Sequence, residues 1–280
     1  MDKKQTLFQR THNFINKHTI IGLFLLIFSN MILSEVLIGG VCAALLGLIG
    51  VNPYTVSDLL LILGGLLCLW LYRRFYRNEY HPVSFKKNFK SSLILAYPIY
   101  GLWIFIIGMY IFMIKRFPLS NFDMPIIMRS VSAGLAEEVV FREISVSYLI
   151  RQWKGKNREI AIVTIPAVIF GLFHLVNIVN GNSVVNTLYQ VMICLFAGLF
   201  YGAIYLIKGN VWPLIILHSA HDFIVLSEEN MLTSMNVTIP QTINSVYMFG
   251  FMLIAIYAIF IIENADSDYL SSSWAKIWQK

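Results

Sequence analysis

Apolar stretches long enough to cross a membrane alternate with short polar segments along nearly the whole chain. A spanning helix needs roughly 18 or more predominantly apolar residues, and the pattern predicts about eight such spans, at 19–50, 56–72, 91–114, 125–151, 160–179, 187–207, 211–226 and 246–262. The alternating ten-residue segments of a membrane β-barrel are absent from the pattern. The reading is therefore an all-α integral membrane protein. It divides into a cytoplasmic N-terminal segment at 1–18, one polytopic membrane domain at 19–262, and a cytoplasmic tail at 263–280. At about 1.5 Å per residue the first span would be about 48 Å long. It is expected to tilt, protrude or break near Ser34 and Glu35, with Glu35 marking a wet break.

Charge fixes the expected orientation. Only 13% of the 280 residues are charged and 58% are hydrophobic. The net charge of +6 sits in short clusters between apolar runs, where it orients helices and does not form a nucleic-acid surface. The loops at 73–90 and 151–159 are rich in Lys and Arg, whereas NPYTVSD and the segment 227–245 have none. Positive loops stay inside. Eight crossings then put both termini, His12 and His81 in the cytoplasm and 227–245 outside, with Lys115 and Arg116 the exception on an outer loop. Cys42, Cys68 and Cys194 lie in separate apolar stretches without CxxC spacing and read as packing residues. Trp70, Tyr72 and Trp103 read as interface anchors or packing. The run from Thr19 to Val51 is too long for a signal-peptide core, and the closing WAKIWQK carries no lipidation box.

Ionisable groups inside a bilayer cost several kcal/mol unless paired or wetted, which makes them candidates for function. The fourth span, SAGLAEEVVFREISVSYLI, holds Glu137, Glu138, Arg142 and Glu143. Glu138 and Arg142 are one helical turn apart and suit an ion pair on one face. Glu137 is rotated about 100° from Glu138 and needs a partner on another helix. His174, in IFGLFHLVN, lies at a similar depth and is the expected partner; Asn177 and Asn180 behind it read as capping or wetting that helix end. The seventh span, NVWPLIILHSAHDF, adds His218 and Asp222 on one face, with His221 at its border. A carboxylate and an imidazole sharing a proton can activate water, and further donors can hold the oxyanion formed when that water attacks an amide.

The ordered set of Glu137, Glu138 and Arg142, then Phe170 and His174, then Trp212, Pro213, His218 and Asp222, resembles the CAAX-protease and bacteriocin-processing family of Rce1-like intramembrane proteases. The likeness spans about 125–226. It implies a cleft within the bilayer where Glu137 and His174 activate water, His218 and Asp222 hold the oxyanion, and Glu138 and Arg142 support the site. His221 is a second-choice donor. Family members often carry Asn where this chain has Asp222, and Asp donates a hydrogen bond only when protonated.

The resemblance also implies a substrate class: a membrane-associated peptide or a lipidated protein. For a bacterial-looking chain, peptide or bacteriocin processing, or self-immunity, is preferred over prenyl-protein processing. No cofactor is required on this reading. The competing one places a divalent metal such as zinc on Glu137, His174 and His218, although no HExxH motif is present. Two other classes compete. One is a non-catalytic immunity or regulatory partner of the same fold. The other is a proton-coupled transporter, which the lack of an internal repeat disfavours.

Overall fold

The computed structural model describes residues 6–51, 53–153 and 158–279. Lys3, Lys4, Asn52, Lys154, Lys156 and Lys280, part of the charge and loop pattern above, lie outside the described residues. The described residues form helices joined by turns and loops. An amphipathic helix, α1 (Leu7–Lys17), opens on a capping box in which the Thr6 and Gln9 side chains each satisfy the other's backbone N–H. The first apolar segment forms α2 (Thr19–Leu48) without a break. Its middle, Ile32–Cys42, widens into a π-helix, and Glu35 sits in that wide stretch.

Next come α3 (Pro53–Phe75), the short α4 (Phe89–Leu95) and α5 (Tyr97–Ile114). The single span expected at 91–114 is thus two helices, because Pro98 starts a new one at its first turn. A 3₁₀ turn at Pro118–Asn121 leads to α6, residues 124–152, capped by the Asp123 side chain. It too widens into a π-helix, at Val139–Val146, between α-helical halves. Then follow α7 (Glu159–Phe173), α8 (Val176–Val179) and α9 (Val184–Lys208), the last stopped by Gly209 at φ 66°. The chain closes with α10 (Trp212–Ser234), α11 (Gln241–Glu263) and α12 (Ser267–Ile277). α10 runs eight residues beyond the expected end at 226.

Among the described residues six helices are long and apolar enough to cross a membrane: α2, α3, α5, the segment Glu159–Val179, α9 and α11. The other two expected spans, at 125–151 and 211–226, form the long helices α6 and α10, which carry the charged residues. α6 sits at the centre, packed by α2, α3, α7, α9 and α10. Residues 138–149 are buried without interruption. A helix enclosed on every side can keep polar groups, since protein replaces lipid around it.

One end of the bundle gathers α1 and α12. Arg151 bonds Asn16 and Glu79, His12 Nε2 lies 3.1 Å from Glu79, and the His81 N–H donates to Ile277 O at 2.7 Å. Trp278 Nε1 donates to Ser147 O at 3.1 Å. At the other end the 3₁₀ turn packs on α10.

Candidate active site

Close helix contact builds the site. A Cβ on Gly134 of α6 would lie 2.8 Å from Ser219 N and 3.1 Å from Ile215 O, so only glycine lets α10 come this near. That seat sets His218 beside the two glutamates. Across the bundle Gly198 and Gly202 of α9, one turn apart, receive Ala167 and Val163 of α7.

Glu138 has no exposed side-chain surface. Its Oε1 lies 2.8 Å from Arg142 Nη1 and accepts from His218 Nδ1 at 2.7 Å. A carboxylate only accepts, so the proton of that bond rides on Nδ1. The other ring nitrogen, Nε2, faces outward, 3.5 Å from Glu137 Oε2 and 3.6 Å from Asp222 Oδ1. The Arg142–Glu138 contact is an ion pair by distance without well-aligned N–H bonds. The guanidinium instead lies over the rings of Phe170, 4.8 Å from its centroid, and Tyr201, at 5.5 Å. Tyr201 also stacks on His218, with centroids 5.8 Å apart.

Glu137 differs from its neighbour in being 21% exposed at the side chain. It forms no ion pair with His174. The depth count along the two helices set them level but could not set their sideways spacing, and Gly134 makes α10 the nearer neighbour. His174 ends α7, and its Nδ1 donates to Phe170 O at 3.0 Å, which leaves Nε2 directed at Cys194 Sγ, 3.5 Å away. Cys194 in turn lies within electrostatic reach of Glu137, Asp222 and Arg142. The thiol of Cys194 on α9 is thus in contact with His174.

His221 points elsewhere. It accepts from Trp103 Nε1 at 3.2 Å and its ring packs on Phe251 and Tyr247, so it faces α5 and α11. Glu143 is tied down by Arg73, at 2.7 and 3.1 Å, and by the Tyr205 hydroxyl at 3.0 Å. Asn177 bonds Gln190 at 2.8 Å, and Asn180 caps α8.

Sequence reading missed Tyr201 here, and read Cys194 only as packing and Glu35 only as a wet break. Cys194, Gly198 and Tyr201 recur at helical spacing, and the small-residue pair Gly198 and Gly202 marks that side of α9 as a helix contact. Gly64 and Gly65 of α3 seat Ser34 and Ala136 respectively. The residues that follow them, Glu35 and Glu137, come close enough for their charges to interact. Among the described residues no three His, Cys, Asp or Glu side chains are grouped as a metal site.

Residues 120–224 match the family model described as Type II CAAX prenyl endopeptidase Rce1-like. The match runs from the turn before α6 into α10 and contains every site residue named above except Glu35. No curated protein and no solved structure matches the chain.

Proposed function

Starting from a chain whose residues 120–224 form an Rce1-like domain of the CAAX-protease family, we propose that this multi-pass membrane protein is an intramembrane endopeptidase that cleaves a membrane-associated peptide or the tail of a lipidated protein. The observation that carries the reading is the relay Arg142–Glu138–His218, which turns His218 Nε2 toward the partly open Glu137 at 3.5 Å.

In this mechanism a water held between Glu137 and His174 gives its proton to the Glu137 carboxylate as its oxygen attacks the scissile carbonyl carbon. His174 Nδ1–H is held by Phe170 O, so Nε2 is the nitrogen that accepts from the water. The tetrahedral oxyanion forms beside His218, which as an imidazolium donates from Nε2 while Nδ1 stays on Glu138. Asp222 adds a donor when protonated. Collapse breaks the C–N bond, and the proton on Glu137 passes to the leaving amine, giving an acid and an amine. Glu138 and Arg142 position His218 and touch no reacting atom. This reading invokes no metal on Glu137, His174 and His218.

The test is peptide release from membrane-anchored fluorogenic peptides, prenylated and unmodified, by wild type, Glu137→Ala and His174→Ala, with and without a chelator. Wild-type cleavage that survives the chelator and falls at least about 10²-fold in both variants is expected. Full activity in Glu137→Ala would overturn the mechanism. Loss with the chelator would move it to metal chemistry, and the preferred peptide series identifies the substrate class.

A further inference from the structure

A cavity lies away from the site, at the end of the bundle where α1 and the end of α3 meet. It measures about 930 Å³. Gln9, His12 and Asn13 line one wall; Arg74, Arg77 and Glu79 line the other.

The arginines at the end of α3 and in the turn after it differ in their partners. Arg73 is held by Glu143. Arg74 and Arg77 are exposed and have no carboxylate within ion-pair distance among the described residues. The face of α3 that leads to Arg74 says what they border. Leu59, Leu63, Leu66 and Trp70 are exposed at spacings of four, three and four residues, forming one outward stripe. Arg74 continues that stripe at the next step of four, and Arg77 follows it in the turn after the helix. An apolar face toward acyl chains thus ends, one turn after a tryptophan of the kind that marks headgroup level, in two unpaired guanidinium groups. The opposite wall is at the same level: α1 exposes Leu7 and Phe14, two turns apart on one face, as a helix lying in the interface does.

We propose that this cavity binds the phosphate headgroup of an anionic phospholipid, held by Arg74 and Arg77, with the acyl chains lying along the Leu59–Trp70 stripe. Gln9 and Asn13 supply amide donors across the cavity. The continuity of the apolar stripe with the charged pair favours a lipid over a free phosphate, which would use the guanidinium groups and leave the stripe without a role. Two basic groups near an anionic headgroup correspond to a preference of about tenfold or more over a zwitterionic lipid.

Native mass spectrometry of the full chain, extracted from vesicles of equimolar phosphatidylglycerol and phosphatidylcholine, tests this. Wild type is expected to retain phosphatidylglycerol about tenfold over phosphatidylcholine, and Arg74→Gln/Arg77→Gln to retain the two equally. Gln9→Glu keeps both arginines and still completes the capping box, yet places a negative charge in the cavity. It serves if the double variant does not fold, and its expected effect is a severalfold loss of the preference. Equal retention of both lipids by wild type, or an unchanged preference in the double variant and in Gln9→Glu, would overturn the proposal. Excess inorganic phosphate is expected to leave the retained lipid in place; its displacement would reassign the cavity to a free anion.

Discussion

Glu137 and Glu138 are neighbours in sequence with opposite surroundings. Glu138 is sealed against Arg142 and His218, whereas Glu137 is partly exposed. Replacing one member of a buried pair leaves the other charge uncompensated, at a cost of about 3–5 kcal/mol. Glu138→Gln is therefore expected to lower the unfolding midpoint of the detergent-solubilised protein sharply. Turnover should fall about 10²-fold, because His218 loses its charged anchor. Adding Arg142→Met removes the stranded guanidinium and should recover much of the stability but none of the turnover. A double variant as unstable as the single one would mean that the pair is not what holds this part of α6.

At the scale of the helix, the site depends on how closely α10 approaches α6. Gly134→Val is expected to push the two apart, at a cost of about 1–3 kcal/mol for overpacking, and to lower turnover more than tenfold with helix content unchanged in circular dichroism. Gly101→Ala is the control, since nothing lies within 4 Å of a Cβ there. Unchanged turnover in Gly134→Val would show that the 3.5 Å separation of His218 and Glu137 does not matter for the chemistry. The helices themselves were readable because apolar runs of this length have few other uses. Glu138, Arg142 and the one-turn spacing of His218 and Asp222 were readable because they lie on one face of one helix. The partner of Glu137 was not. Sequence gives height along a helix, while sideways placement depends on which glycines let which neighbours close in. The wide turns in α2 and α6 were hidden for another reason, as a periodicity argument assumes 3.6 residues per turn throughout.

For the molecule as a whole, the contacts of His12, His81 and Arg151 place α1, the loop after α3, the end of α6 and α12 at one end. Cysteines introduced at His81 and Ser271, in a background lacking the native three, should label with an impermeant reagent from one side of the membrane only. Those at Asn182 and Thr238 should label only from the other. Labelling of all four from one side would break the up-and-down order of the helices. The signal that anticipated this arrangement was the clustering of Lys and Arg in alternate loops. α6 is enclosed by its neighbours, so it can carry buried charge and look less like a membrane helix in composition.

The wide turn at Val139–Val146 also bears on how this chain is compared with others. Each π-turn holds one residue more than an α-turn, so the two halves of α6 are out of phase with any single helical wheel. A relative whose corresponding helix is straight would carry fewer residues between the glutamate pair and the position of Ser147. Aligned without a gap there, it would match the half that carries the glutamate pair and set every residue of the other half on the wrong face.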